Sequence, residues 1–216
     1  MEFHRQGSAG WFAARLGKVT ASRFADVCTQ PRSKADKEAG VLSQTAQSYF
    51  YELVGEHLTG IPAGADVQAK ALEWGHQHEP QARDEYTFRN GVKLVEIGFA
   101  QHKSIELVGG SPDAYIGDDH GVEIKCPYTS REHARYLVEP GTFKAKYAGQ
   151  VQGLMWITGR TSWDLVSFDP RVKDHPELRL LVVECKVDHS WFERFESLVV
   201  PFAEQLKATL ERMGVK

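Results

Sequence analysis

The spacing of apolar residues along this 216-residue chain changes from the period of a helix to that of a strand and back. Residues 41–58 and 66–90 carry apolar side chains three to four positions apart, which places them on one face of a helix. Short, β-branched stretches follow and are separated by turn residues, as strands are. These stretches are 92–100, 105–108, 113–116 and 121–125. The first half therefore predicts two helices followed by a meander of strands.

The second half alternates between the two periods. Helical spacing returns at 129–139 and 142–158, strands are predicted at 163–168 and 178–187, and a last helix is predicted at 190–213. This order predicts an α/β fold in which a mixed central β-sheet is flanked by helices. With no linker or repeat, we expect a single domain over residues 1–216.

Local signals refine these elements. Pro80 lies inside a predicted helix, so that helix should kink or divide there, and Pro201 predicts a kink in the last helix. The polar segment 29–40 predicts a loop. Residues 117–121 predict a hairpin turn between two of the strands.

Composition excludes several classes of protein. The chain is 42% hydrophobic and 25% charged, which argues against disorder or a coiled coil as a description of the whole. It has no apolar run of about 18 residues and no apolar N-terminal stretch like that of a signal peptide. We therefore expect a cytoplasmic protein without membrane contact. Cys28, Cys126 and Cys185 lie far apart, which argues against a disulfide framework or a zinc finger.

The net charge of −3 does not by itself indicate a nucleic-acid binder. The charges are uneven, however. Residues 1–37 hold seven Lys and Arg against three acidic residues, and residues 123–160 hold six against three. A basic face that binds a polyanion can lie within a mildly acidic protein. Charge alone favours the simpler interpretation, a solvated surface.

The sharpest chemical signal joins Asp113 to Glu123 and Lys125. Alternation along a strand puts Glu123 and Lys125 on one face and Ile124 on the other, and the predicted hairpin lays Asp113 beside them. Two carboxylates suit Mg²⁺, which keeps waters for a substrate phosphate. A lysine there can orient or help deprotonate water and stabilise charge on phosphate. The pattern indicates phosphodiester hydrolysis.

The same pattern has a structural interpretation. Asp113 can open a turn while Glu123 pairs with Lys125 on an exposed face, and so loose a pattern arises by chance in many chains. The context favours a site, because the pattern falls on two predicted strands and Val122 and Ile124 provide a buried opposite face.

The array Pro112-Asp113…Glu123-Ile124-Lys125 resembles the signature of the PD-(D/E)XK nuclease superfamily. Further blocks, in the same order, resemble the phage lambda exonuclease family, also called the YqaJ-type viral recombinase family. The blocks are 11–22, 71–79, Ser111-Pro112-Asp113, 123–131, 150–156 and Phe168-Asp169-Pro170-Arg171. The resemblance covers roughly residues 11 to 200.

The resemblance implies a PD-(D/E)XK, restriction-endonuclease-like core. It implies a Mg²⁺-dependent exonuclease, with Mn²⁺ as a substitute, that degrades linear double-stranded DNA from the 5′ end. Mononucleotides would be released and a 3′ single-stranded overhang left for recombination by annealing. A ring-shaped homotrimer and a single-strand annealing recombinase as partner are also implied.

Residue roles follow from the same resemblance. Asp113, Glu123 and the Ile124 carbonyl match the metal ligands, and Lys125 matches the catalytic lysine. Glu79 matches an acidic helix residue that completes the site, although Pro80 directly after it could shift its position.

Gln152, with Trp156 after it, matches a glutamine–aromatic pair of the active site. Arg15, Thr20 and Ser22 match the block that holds the 5′-phosphate. Other interpretations stay open: Ser22 as a helix cap, Arg15 as a surface arginine and Gln152 as a buried amide with a local partner.

Two further functions remain in competition with the exonuclease. A structure-specific or restriction-type endonuclease could use the same core, and it would cut closed circular DNA. A non-catalytic DNA-binding module is disfavoured because Asp113, Glu123 and Lys125 are all present.

Overall fold

The computed structural model describes residues 4–63 and 69–215. Eight α-helices and eight β-strands lie within these ranges. The helices are α1 (Ala9–Arg15), α2 (Phe24–Val27), α3 (Lys34–Glu38), α4 (Gln44–Thr59), α5 (Ala69–Asn90), α6 (Ser130–Val138), α7 (Pro140–Thr158) and α8 (His189–Met213). The strands are β1 (Val19–Thr20), β2 (Val95–Glu96), β3 (Ala100–Gln101), β4 (Val108–Gly110), β5 (Ala114–Ile116), β6 (His120–Lys125), β7 (Ser162–Phe168) and β8 (Leu180–Lys186).

The main sheet has five strands in the order β2-β5-β6-β7-β8. β6 is its central strand, antiparallel to β5 and parallel to β7. A smaller sheet has the order β1-β4-β3, in which β1 and β4 run parallel. Both sheets are mixed. β6 has a hydrogen-bonded neighbour on each side, which fixes the backbone that carries Glu123 and Lys125.

Helices cover both faces of the main sheet, as the sequence predicts. On one face, Ala82 and Tyr86 of α5 pack against Val122 and Ile124 of β6. On the other, Trp163 of β7 joins the larger core that α2, α4, α7 and α8 build. The side chains of Glu123 and Lys125 alternate with those of Val122 and Ile124, so they point toward the α7 side.

Capping residues account for both ends of α4. Ser43 precedes α4, and its hydroxyl oxygen accepts the N–H of Ala46. Gly60 ends the same helix with φ of 68°, a left-handed conformation that glycine adopts without strain.

The predicted strand 92–100 is wrong as a single element. It is divided into β2 and β3, which belong to different sheets. The division lies at Gly98, where the N-terminal segment crosses so closely that a Cβ would collide with the carbonyl oxygen of His4. This crossing joins residues distant in sequence, and local periodicity carries no sign of it.

The helices differ from the predictions in smaller ways. α5 continues through Pro80 as one element, so it is not divided there, and α8 continues through Pro201. The kinks at these two prolines stay predictions. The start of the predicted helix 66–90 lies outside the described residues. The predicted loop 29–40 contains the short helix α3, which Ser33 caps by accepting the N–H of Asp36. Among the helices that the structure describes, none combines the length and apolar character needed to cross a bilayer.

Candidate active site

The β5–β6 hairpin brings Asp113 to Ile124. Ala114 pairs with Val122, so Asp113 precedes β5 at the level of the last residues of β6. Its Oδ2 atom accepts the backbone N–H of Ile124 at 2.6 Å. Since the N–H and C=O of one strand residue point to the same neighbouring strand, the Ile124 carbonyl faces the side on which Asp113 lies.

Glu123 is 2% exposed, and its two oxygens are in different situations. Oε1 accepts hydrogen bonds from Lys125 Nζ at 2.7 Å and from Gln150 Nε2 at 2.5 Å. Oε2 is buried and has no hydrogen-bond partner among the residues that the structure describes. A buried carboxylate oxygen without a partner is costly, which makes Oε2 the atom most in need of a ligand.

The site concentrates negative charge in a buried place. Burial, followed by the charges of Glu123 and Glu79, raises the pKa of Asp113 well above its ordinary value. Burial also raises the pKa of Glu123, against the opposing effect of Lys125. Burial alone would lower the pKa of Lys125, but Glu123 and Asp113 raise it instead, so the amine stays protonated.

These residues fit a hard divalent cation. Asp113 and Glu123 supply carboxylate oxygens, the unpartnered Glu123 Oε2 needs a positive neighbour, and the Ile124 carbonyl faces the same side. Within residues 4–63 and 69–215 no group of three or more His, Cys, Asp or Glu side chains is arranged to hold a metal. A Mg²⁺ ion here would therefore keep most of its coordination positions for water and phosphate oxygens.

Glu79 reaches the site from α5. It influences the pKa of both Asp113 and Glu123, and its Oε1 pairs with Arg83 Nη2 at 2.5 Å. Arg83 also pairs with Glu96 of β2 at 2.7 Å. A cavity of roughly 370 Å³, lined in part by these three side chains, opens beside Glu79. Arg83 was not a predicted site residue, although its i,i+4 spacing from Glu79 is a readable signal.

Arg15 lies next to the residues that precede Asp113. Its Nη1 donates to Ser111 Oγ at 2.9 Å, and its guanidinium lies 4.5 Å from the Trp11 ring centroid. Trp11 Nε1 donates to the same Ser111 Oγ at 2.9 Å. Burial lowers the pKa of Arg15, while Tyr49, Glu56 and Glu123 oppose that shift. Arg15 is thus a half-buried cation near Glu123, unlike a plain surface arginine.

Thr20 and Ser22 contact each other rather than Arg15. Their hydroxyl oxygens are 3.2 Å apart, and the Thr20 N–H donates to Tyr49 Oη. Thr20 pairs with Gly109 through β1 and β4, two residues before Ser111. Ser22 lies inside a short 3-10 helix, Ala21–Arg23, so the interpretation of Ser22 as its N-cap is wrong.

Comparison with known proteins identifies the family. Residues 10–161 match the YqaJ-like viral recombinase domain. The chain belongs to the YqaJ-like viral recombinase family. A curated relative, the putative uncharacterized protein ExoD of Escherichia coli K12, is 31% identical over 71 residues, which cover 33% of this chain and 78% of ExoD.

Solved structures extend the likeness beyond the matched YqaJ-like domain. An alkaline exonuclease, LHK-Exo from Laribacter hongkongensis, is 35% identical, with 96% of each chain covered and a TM-score of 0.81. LHK-Exo in complex with dAMP is 34% identical, with 95% of this chain and 96% of that chain covered and the same TM-score. A phage-related exonuclease from Haemophilus somnus, 22% identical, shares the fold with a TM-score of 0.72 over 91% of this chain and 96% of its own. The predicted PD-(D/E)XK fold class is confirmed.

In this YqaJ-like chain the structure does not bring Gln152 to the carboxylates. Its Nε2 donates to the Lys186 carbonyl at 2.8 Å and its Oε1 accepts the Asp188 N–H at 3.0 Å. Two residues along a helix are about 200° apart, so only one of Gln150 and Gln152 can face β6. Gln150 faces β6, where it donates to Glu123. Gln152 is instead a buried amide with local partners, which was the other interpretation of this residue.

Proposed function

We propose that this YqaJ-like protein is a Mg²⁺-dependent exodeoxyribonuclease that acts on ends of linear double-stranded DNA in the 5′-to-3′ direction. One observation carries the proposal: Asp113, Glu123 and Lys125 converge at the end of β6, with a buried, unpartnered carboxylate oxygen among them. Likeness to LHK-Exo over nearly the whole chain supports the exonuclease class.

Each residue at the end of β6 has its own role in this proposal. Asp113, Glu123 Oε2 and the Ile124 carbonyl would hold the cation, which would supply Lewis acidity toward water and phosphate. Gln150 and Lys125 fix Glu123 through Oε1 and leave Oε2 to the cation. Because Lys125 stays protonated, its ammonium group is suited to orienting water and stabilising charge on the phosphate oxygens.

Glu79 and Arg83 complete the acidic side of the site. Glu79 adds negative charge beside the two proposed ligands, and Arg83 holds it while bridging to Glu96. Gln152 has a structural role in this proposal, since it ties α7 to the chain that follows β8.

The 5′ end is held by the residues around Ser111. Arg15 can present two parallel N–H donors to a phosphate, and Ser111, Thr20 and Ser22 can add hydroxyl groups. A DNA 5′-phosphate bound there would lie on the Asp113 side of the site, because Ser111 is two residues before Asp113. The 5′-phosphate is therefore the feature by which we propose a DNA end is recognised.

The remaining parts of the proposal are the product and the assembly. Release of nucleoside 5′-monophosphates agrees with the binding of dAMP by LHK-Exo. The 3′ overhang would serve a single-strand annealing recombinase, in keeping with the viral recombinase family. A homotrimeric ring formed from the single 1–216 domain would keep the enzyme on its DNA.

A nuclease assay with three substrates tests the proposal. Linear duplex with 5′-phosphate, the same duplex with 5′-hydroxyl and a supercoiled circle are incubated with Mg²⁺ or EDTA. We expect mononucleotides and long single strands from the phosphorylated duplex, and an intact circle. Strand-specific end labels establish the direction of degradation.

The competing functions give different results in the same assay. Cutting of the circle would indicate the endonuclease. Binding of duplex in a gel-shift experiment without any cutting, in Mg²⁺ or Mn²⁺, would indicate a DNA-binding module.

A further inference from the structure

Arg171 lies just beyond the ends of β6 and β7, the two parallel strands at the centre of the main sheet. Its guanidinium binds both oxygens of Asp169, with Nε 2.7 Å from Oδ1 and Nη2 2.9 Å from Oδ2. It also donates to the carbonyl of Tyr128 at 2.9 Å and to that of Pro127 at 3.1 Å. One side chain therefore ties the chain after Lys125 to the chain after Phe168.

The same guanidinium also contacts the helix that carries Glu79. It lies 4.4 Å from the ring centroid of Trp74 on α5, and Trp74 in turn packs against Tyr128 with ring centroids 6.1 Å apart. Trp74 and Glu79 are five residues apart on one continuous helix. Arg171 thus joins α5, the end of β6 and the end of β7 at one point.

The pairing with Asp169 keeps this arrangement in one geometry. Asp169 is 0% exposed, and a buried carboxylate requires a charged and hydrogen-bonded partner. Arg171 is the partner, and both ends of its planar guanidinium are used. A lysine could not make these contacts, because it lacks the fork of donors.

We propose that Arg171 is a positioning residue for catalysis: it holds the segment after Lys125 and the helix bearing Glu79 in register with Asp113 and Glu123. This rests on the proposed nuclease function. Arg171 binds neither carboxylate of the metal pair in this structure. Its loss should lower the rate of the chemical step more than the binding of DNA.

A matched control lies at the opposite end of β6. Arg160 stacks on Tyr115 at 3.7 Å and donates to the carbonyls of Gly117 and His120, at 3.0 and 3.2 Å. Both arginines therefore stack on an aromatic ring and bind two backbone carbonyls beside the same strand. Only Arg171 is next to the catalytic end.

The experiment compares Arg171→Ala with Arg160→Ala in single-turnover cleavage of 5′-phosphorylated duplex. We expect Arg171→Ala to lower the cleavage rate at saturating DNA about 100-fold, since small misplacements of catalytic groups cost rates of that order. Its Kd for DNA in EDTA should change less than about threefold, and Arg160→Ala should cleave within about twofold of wild type. Guanidinium ion at low millimolar concentration should restore part of the Arg171→Ala rate but leave Arg160→Ala unchanged.

A second readout does not depend on activity. Cys126 lies between Lys125 and the carbonyls that Arg171 binds, whereas Cys28 and Cys185 are buried elsewhere. Alkylation with N-ethylmaleimide, followed by peptide mass spectrometry, should show faster labelling of Cys126 in Arg171→Ala than in Arg160→Ala. Labelling of Cys28 and Cys185 should be alike in both folded variants. If Arg171→Ala does not fold, Arg171→Lys serves, because it keeps the charge and stem but not the fork.

The outcomes separate the two proposals. Wild-type cleavage and wild-type Cys126 labelling in Arg171→Ala and Arg171→Lys would overturn the positioning role. Equal losses of rate in the Arg171 and Arg160 variants would also overturn it, in favour of a general stability effect. An inactive wild-type protein would overturn the proposed function, and the Cys126 labelling would then decide whether Arg171 holds this segment.

Discussion

Gln150 and Lys125 donate hydrogen bonds to the same oxygen of Glu123, at 2.5 and 2.7 Å. The carboxylate is thereby fixed from two sides, by α7 and by its own strand, while its other oxygen remains buried without a partner. In the proposed metal site, this asymmetry would let Glu123 present one oxygen to the cation and keep the other for orientation.

The first prediction separates the two glutamines of α7. Gln150→Ala should reduce cleavage about 10- to 100-fold, because groups that orient a metal ligand contribute that much, while the melting temperature stays close to wild type. Gln152→Ala should instead cost about 1–3 kcal/mol of stability, since the Asp188 N–H and the Lys186 carbonyl lose their buried partner. Thermal unfolding and cleavage rates measured on both variants check this, and the reverse assignment of effects would contradict it.

The sequence pattern could not predict which of these two glutamines faces β6, for a physical reason. Every residue from Val151 to Ile157 is buried, so the second half of α7 has no polar face to show which side meets β6. An amphipathic helix such as α4, with Tyr49, Leu53 and Val54 inward, was predictable because its outer face is polar.

The sheet shows the same contrast. The β5–β6 hairpin and the placement of Asp113 beside Ile124 follow from local turn chemistry and alternation. The division of the main sheet from the smaller one depends on Gly98, where a segment about 90 residues earlier crosses the chain. The contacts of Arg171 are also between distant segments, so the Asp169-Pro170-Arg171 motif could be noticed but not interpreted.

The second prediction concerns Lys125. Lys125→Ala should lower cleavage about 1000-fold or more, because an ammonium group that stabilises charge at the phosphate is lost, while duplex binding in EDTA stays within about threefold. Lys144 is an exposed lysine on α7. The variant Lys144→Ala is the control and should cleave like wild type. Normal turnover by Lys125→Ala would contradict the assignment of the site.

The third prediction concerns recognition of the 5′ end. Arg15→Ala should reduce cleavage of 5′-phosphorylated duplex about 10- to 100-fold and leave 5′-hydroxyl duplex nearly unchanged, because a charge-assisted contact to phosphate is lost. The control is Arg23→Ala. Arg23 also lies over an aromatic ring, that of Tyr49, and its guanidinium pairs with Asp26 and Glu52. Arg15 would be structural if both substrates were affected equally.

The fourth prediction concerns the metal. Mg²⁺ should raise the melting temperature of the wild-type protein, by an amount equivalent to about 2.7 kcal/mol at 100 times its Kd, and EDTA should reverse the rise. Glu123→Gln should lose most of this effect, because it removes one of the two carboxylates. A rise of equal size in Glu123→Gln would place the stabilising cation elsewhere.

The fifth prediction uses two buried aspartates whose pKa values shift in opposite directions. Burial and the neighbouring charges of Glu123 and Glu79 raise the pKa of Asp113. Burial alone would raise the pKa of Asp169 as well, but hydrogen bonds from Arg171 hold it below the ordinary value. Between its unfolded and folded pKa values, Asp113 binds more protons in the native state, so its contribution to stability falls as the pH rises. Asp169 binds fewer there, so its contribution is present above the unfolded pKa and is lost as the pH falls toward the folded one.

The two asparagine variants should therefore move stability in opposite directions at neutral pH in EDTA. Asp113→Asn should stabilise the protein by about 1 kcal/mol, since its amide oxygen can still accept the Ile124 N–H while a buried charge is removed. Asp169→Asn should destabilise it by about 3 kcal/mol, because Arg171 loses its charged partner. Urea unfolding of both variants and wild type from about pH 8 down to about pH 2.5 measures these differences. The Asp113 difference should shrink as the pH falls toward the unfolded Asp pKa of about 3.9, whereas the Asp169 difference should shrink only below that value. A loss of stability in Asp113→Asn as large as that in Asp169→Asn would contradict this prediction. It would mean that the Asp113 carboxylate stabilises the fold, rather than destabilising it in the absence of a cation.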